Sequence, residues 1–316
     1  MPCQILIICP DPAAYTSRLA EFAQQVAFSC FPALECLPAI ELMADADAIF
    51  AYGRGFDANC LAHAPRLKWF QCVITGTDHL APVLKGSRVI LTNARGIHGP
   101  QMAEMAILHM LALSRRVPQL VRNQAAHVWD RSLCPRVLDR RTLVILGVGA
   151  IAEHVAKVCK ALGMKIIGVS RTPRELPGFD AIYPREQLLE AAAQADFLLA
   201  LVPYAKESDR IIDAAVFDAM KPSACLINIA RGGVVDEPAL IEALKARKIA
   251  GAGLDVFAQA PLPKESPLWG MDNVFITPFI GGLSDRYEDE IMSIIKPNLR
   301  SFLAGRYDEM INRVPV

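Results

Sequence analysis

Between residues 142 and 277 the chain alternates short apolar runs with amphipathic stretches, and that rhythm leaves few architectures open. The runs fall at 142–146, 165–170, 196–201, 224–229, 251–256 and 273–277. They are almost continuously apolar, as strands must be when helices cover both faces of their sheet. Six such strands with helices between them predict a doubly wound parallel α/β sheet.

The flanking regions repeat the pattern less regularly. Strands are expected at 3–8, 48–52, 68–72 and 89–92, and helices at 13–28 and 78–85. A long helix is expected from Gly99 to about Ser114, with a break or kink at Pro118. After Gly281 and Gly282 a last amphipathic helix, 285–303, lies beyond the final strand and is free to return to the first region. No repeat or low-complexity linker interrupts this order. The expected fold is therefore α/β with two doubly wound domains. A Rossmann domain at 98–284 is inserted into a smaller flavodoxin-like domain built from 1–97 and 285–316.

Charge narrows the partners. Thirty-three basic and thirty-three acidic residues cancel, so no net field favours nucleic acid or a membrane surface. No stretch approaches the roughly 20 apolar residues that would span a bilayer. The nine cysteines are odd in number and never form a CxxC pair, which argues against a disulfide framework or a metal site. With no basic region before the first apolar run, a cytoplasmic protein without a signal peptide is expected.

The most specific motif comes directly after the run at 142–146: Gly147, Val148, Gly149, Ala150, Ile151 and Ala152, opening a helical pattern. In a strand–GxGxxA–helix unit the first glycine permits a tight turn and the second lets backbone approach a pyrophosphate. The small third residue allows close helix–strand packing. The helix start then offers unpaired N–H groups to the phosphates. A dinucleotide site is expected, with Gly147, Gly149, Ala150 and Ile151 as its floor. An NAD site places an acidic residue after the second strand, to bind the ribose hydroxyls. Here that position reads Ser170, Arg171, Thr172, Pro173, Arg174. Two guanidiniums and two hydroxyls suit a 2′-phosphate, so NADP is the preferred cofactor. Solvated loop arginines would leave NAD open.

Several segments resemble the D-isomer-specific 2-hydroxyacid dehydrogenases. The longest runs from Met220 to Glu237 and contains Asn228, Ile229, Ala230, Arg231, Gly232 and Gly233. Others are Thr75 to Leu80, Gly96 to Glu104, Leu201-Val202-Pro203 and Gly253 to Phe257, in the family's order over nearly the whole chain. The glyoxylate/hydroxypyruvate reductase branch is the most similar. The resemblance implies hydride transfer between a nicotinamide cofactor and a small 2-oxo or 2-hydroxy acid. It implies that Arg231 grips the substrate and stabilises the developing oxyanion. Backbone around Thr75 and Gly76 would hold the substrate carboxylate. Asp255 would accept the nicotinamide amide beside Val202, Pro203 and Ala230. A homodimer is also implied, with the 99–114 helix and the segment to Trp129 as contact arm.

Two departures stand against this pattern. The family's glutamate before a Pro-Leu-Pro run is Ala260 here, and its histidine after a Thr-Pro pair is Phe279. General acid–base catalysis typically contributes about 10²–10⁴-fold, so weakened acid–base chemistry is expected. Arg231 cannot serve as the acid, because a guanidinium keeps its proton. His98, before the long helix, is a replacement candidate. Asp285 and Tyr287 are weaker ones, expected on the polar face of the last helix. His63, His109, His127 and His154 read as packing or surface residues. The rival reading is a dinucleotide-binding pseudoenzyme that regulates a partner.

Overall fold

The computed structural model describes residues 2–316. The chain forms two compact units, Met1–Ile97 with Ser284–Val316 and His98–Leu283.

The first unit opens with β1 (Cys3–Cys9), whose alternate residues feed two cores. Ile5 and Ile7 enter one cluster, Leu6 and Ile8 the other, so the strand is apolar on both faces. Helix α1 (Pro12–Arg18) is capped by the Asp11 carboxylate and ends at Arg18. The helix expected at 13–28 stops at Arg18 and does not extend to residue 28. One 3₁₀ turn at Ala20–Phe22 leads into β2 (Val26–Pro32), which pairs in parallel with the full length of β1. The reason is tertiary: Val26, Phe28 and Phe31 suit a strand, and the open edge of β1 supplies the backbone partners that local periodicity ignores. Next along the chain are β3 (Ala48–Ala51), α2 (Ala58–Ala62), β4 (Trp69–Cys72), α3 (Ala81–Leu84) and β5 (Ile90–Thr92).

The second unit begins with α4 (Gly99–Ser114) and α5 (Val117–Ala125). The break between them is at Arg116, which takes a left-handed φ of 59°, rather than at Pro118. Pro118 sits in the first turn of α5, where its missing N–H costs nothing. Met102, Met105, Ala106 and Met110 of α4 are core residues. The exposed apolar residues here are Leu108 and Leu111 of α4, Leu120 and Val121 of α5, and Val128 and Trp129 after it.

The sheet of this unit has seven strands where six were expected. They are β6 (Thr142–Leu146), β7 (Lys165–Ser170), β8 (Ala181–Pro184), β9 (Phe197–Ala200), β10 (Cys225–Asn228), β11 (Gly251–Leu254) and β12 (Val274–Ile276). The added β8 is a half-covered edge strand, too exposed to read as a buried run. The intervening helices are α6 (Ala150–Ala161), α7 (Leu188–Gln194), α8 (Ala214–Ala219) and α9 (Glu237–Lys245). The order β12-β11-β10-β9-β6-β7-β8, parallel throughout, reverses direction between β6 and β9. In such sheets ligands bind beyond the carboxyl ends of the strands at that reversal.

The chain then returns to the first unit as α10 (Tyr287–Leu303) and β13 (Arg313–Val314). The completed sheet runs β13-β5-β4-β3-β1-β2, parallel except for β13, which is antiparallel to β5. Ile291, Ile295 and Leu299 bury α10 against it. Tyr287 is also buried, its hydroxyl donating to the Val73 carbonyl, so it does not lie on a polar face. Asp285 is exposed.

A buried amide ties α10 down. Asn298 accepts from the Ile311 N–H at 2.7 Å and donates to the Ile311 carbonyl at 3.1 Å and to Gln71 Oε1 at 3.4 Å. Removing it strands polar groups away from water. Asn298→Ala is expected to cost about 2–4 kcal/mol, read as a lower urea midpoint, and an unchanged midpoint would refute the anchor.

Candidate functional site

At the reversal point β6 ends in Leu146 and the chain turns at Gly147, with φ +104°. A Cβ at 147 would lie 2.7 Å from the Val202 nitrogen, so only glycine lets the turn pass this close to the segment after β9. Gly149 then caps α6.

A cavity of about 310 Å³ opens over this turn. Gly147 and Gly149 form its floor, and Val202 and Pro203 one wall. Ser170 at the end of β7, with Arg171, Thr172 and Arg174 beyond it, also lines the cavity. Ala150 and Ile151 open α6 just past this lining, while Ala230 and Asp255 lie after the neighbouring strands β10 and β11.

Arg185 completes the basic wall and escaped sequence reasoning, because it comes after the overlooked strand β8. The available signal was a basic residue straight after the short run Ala181–Pro184. Arg174 stands 3.9 Å from Glu153, with both side chains half exposed, so that pair neutralises it only weakly. A glycine turn, a helix start and a recess walled by three guanidiniums fit a phosphorylated dinucleotide.

The ends of β10 and β11 are shaped by two buried polar side chains. Asn228 accepts from the Ala230 N–H at 3.2 Å and donates to the Arg231 carbonyl at 3.0 Å, which fixes the loop carrying Arg231. Arg231 is partly buried, and its Nη1 donates to the Ala230 carbonyl at 2.7 Å. A Cβ at Gly232 would fall 1.8 Å from the Phe257 carbonyl oxygen, so this loop rests on backbone that leads to Ala260.

Asp255 is buried after β11. Its Oδ1 accepts from the Thr277 hydroxyl at 2.5 Å and from the Ile280 N–H at 3.0 Å, and its Oδ2 from the Gly281 N–H at 3.0 Å. The carboxylate is therefore held by neutral donors of the loop after β12. Its main-chain oxygen also accepts from the Phe279 N–H at 2.9 Å. These bonds hold Phe279 at φ 59° with its ring half exposed. A left-handed aromatic residue costs roughly 1–2 kcal/mol, which the clamp around Asp255 sustains.

His98 is buried at the start of α4, and its ring edge lies against Gly282 in the same loop. Thr75 and Gly76 belong to the other unit, after β4, where the Asn93 side-chain amide donates to the Thr75 carbonyl at 2.8 Å. His63 and His127 are exposed, and His154 packs its ring on Gly99. His109 is completely buried, and its Nε2 lies 3.0 Å from the Thr277 hydroxyl. Burial pushes its pKa down to about 4, against the opposing pull of Asp255. Among the described residues no three His, Cys, Asp or Glu side chains gather as metal ligands. No helix there is long and apolar enough to cross a membrane.

Comparison with known proteins places this geometry. The family model for the NAD binding domain of D-isomer specific 2-hydroxyacid dehydrogenases matches residues 107–281. Glyoxylate/hydroxypyruvate reductase B of Pectobacterium carotovorum is 32% identical over 300 residues, covering 93% of this chain and 92% of that enzyme. D-3-phosphoglycerate dehydrogenase of Methanocaldococcus jannaschii is 32% identical over 282 residues. The match takes in 87% of this chain and 53% of that enzyme, so the chain spans about half of its length. The crystal structure of a D-isomer specific 2-hydroxyacid dehydrogenase family protein from Aeromonas salmonicida superposes with a TM-score of 0.87. Its sequence is 34% identical, and 99% of each chain is covered. The chain belongs to the D-isomer specific 2-hydroxyacid dehydrogenase family.

The turn at Gly147 makes a direct test of the dinucleotide cradle. Gly147→Ala is expected to weaken NADPH binding at least about tenfold in a fluorescence titration, because left-handed φ and the contact with Val202 both oppose a side chain. Undiminished affinity would show that the cofactor does not lie over this turn.

Proposed function

We propose that the protein is an NADPH-preferring reductase of small 2-oxo acids with weakened acid–base catalysis. The observation that carries this reading is Arg231, held by Asn228 at the carboxyl end of β10 in the same unit as the dinucleotide cradle. A planar guanidinium can bond both the carboxylate and the adjacent carbonyl of a 2-oxo acid. It also stabilises the oxygen as negative charge develops there. Thr75 and Gly76 are assigned to the substrate carboxylate, and Asp255 to the carboxamide of the cofactor. When bound, the nicotinamide supplies hydride to the carbonyl carbon.

Arg171, Arg174 and Arg185 are assigned to the 2′-phosphate that distinguishes NADP from NAD. The protonation step is the weak one. Ala260 and Phe279 offer no acidic proton, so the alkoxide takes its proton from water or from His98. Loss of a general acid lowers the rate by about 10²–10⁴-fold but leaves positioning and electrostatic stabilisation in place. A second reading, a pseudoenzyme that senses NADP(H), is favoured by the half-exposed Phe279 ring in the clamped loop. A cytoplasmic homodimer is part of the proposal, with Leu108, Leu111, Leu120 and Trp129 as contact residues.

The test is NADPH and NADH oxidation with glyoxylate and hydroxypyruvate. Turnover is expected with a KM for NADPH at least about tenfold below that for NADH. Arg171→Ala and Arg185→Ala should each narrow that gap, and Arg231→Ala should lower kcat/KM by about 100-fold or more. Tight NADPH binding with no turnover would favour the second reading.

A further inference from the structure

Behind the loop that carries Phe279, His109 and Thr277 lead to Asp255 through two buried hydrogen bonds to which the proposed reaction gives no role. His109 on α4 fills a recess bounded by Gly253 on β11 and Phe275 on β12. A Cβ at 253 would come within 2.6 Å of His109 Nδ1, and the Phe275 ring stands edge-on at 5.1 Å. Met105, one turn before His109, brings its sulfur to 3.9 Å from the Thr277 hydroxyl. His109 Nε2 lies 3.0 Å from that hydroxyl, while Nδ1 is buried with no hydrogen-bond partner.

Proton accounting gives these bonds a direction. Each Asp255 oxygen already accepts a backbone N–H, from Ile280 and from Gly281, so the short contact from Thr277 is taken as the hydroxyl donating to the acid. A hydroxyl has one proton, so Thr277 Oγ1 must accept from His109. His109 is therefore the neutral tautomer with its proton on Nε2, which leaves Nδ1 as a bare acceptor beside Gly253. The other tautomer would present Nε2 as an acceptor and draw the Thr277 proton away from Asp255. Burial, which disfavours the charged imidazole, supports the neutral state.

Asp255 then has one acceptor position to spare. Oδ1 takes two donors and Oδ2 takes one, against two lone pairs on each oxygen. We infer that His109 is a positioning residue: by donating to Thr277 it aims that hydroxyl at Oδ1 and keeps the second lone pair of Oδ2 for the cofactor carboxamide. This rests on the reading of Asp255 proposed above.

The test compares NADPH with 2′-phospho-ADP-ribose, which has the phosphates but no nicotinamide. His109→Leu keeps an apolar filler and removes the donor. It is expected to weaken NADPH roughly three- to tenfold in a titration, the scale of one hydrogen bond, and to leave 2′-phospho-ADP-ribose unchanged. His109→Gln, whose amide restores an N–H, should recover most of the loss; Thr277→Val should weaken NADPH likewise, and Thr277→Ser, which keeps the hydroxyl, should not. Equal weakening of both ligands would mean a merely structural histidine and overturn the inference. So would unchanged NADPH affinity in His109→Leu when Asp255→Asn still weakens it. If Asp255→Asn also leaves NADPH unchanged, the assignment of Asp255 itself falls. Nitrogen NMR of the unmutated protein gives a reading independent of variants. His109 should carry its proton on Nε2, and a proton on Nδ1 would contradict the relay.

Discussion

The carboxylate of Asp255 is the interaction on which the site is built. An ionised group removed from water must be compensated by hydrogen bonds, and here the donors come from the loop after β12. The compensation works in both directions. The loop satisfies the charge, and the charge dictates the path of residues 277–281, including the left-handed Phe279. Gly281 belongs to the same solution, since a Cβ there would sit 2.9 Å from Oδ2 and displace it. A conformation that costs free energy at one residue is retained because several bonds depend on it.

Around this clamp the second unit gathers the residues proposed for the site at one end of the sheet. Parallel strands ending together put Gly147, Ser170, Val202, Arg231 and Asp255 on successive carboxyl ends. Two kinds of electrostatics then divide the work. The glycine turn and the start of α6 offer backbone N–H groups to phosphates, whereas the arginines beyond β7 and β8 offer full charges in a more open setting. The first kind serves any dinucleotide. The second kind carries the proposal for NADP.

Much of this was legible because the determinants are local. The apolar runs at 142–146 and 165–170 match β6 and β7 residue for residue, since strands covered on both faces show continuous hydrophobicity. Gly147 and Gly149 announced themselves by spacing, and the positions of Ser170 to Arg174 came from the length of one βαβ unit. The features that stayed hidden depend on partners far along the chain. Strand β2 was masked by helical periodicity, and β8 by its exposed edge, so Arg185 lost its context. His109 is buried in the core, and its hydrogen bond to Thr277 could not be read locally because that partner lies 168 positions away. Tyr287 similarly exchanged an expected polar face for the core, where Val73 accepts its hydroxyl.

In the proposed function Arg231 and the dinucleotide cradle serve one chemical step, transfer of hydride to a 2-oxo acid. It is tested most directly by incubating the protein with hydroxypyruvate and NADPH deuterated at the transferable C4 position, then analysing the product by mass spectrometry. The expected product is glycerate carrying one deuterium at C2, formed in step with NADPH consumed and absent with Arg231→Ala. Bound NADPH that never passes its label to hydroxypyruvate or glyoxylate would contradict it.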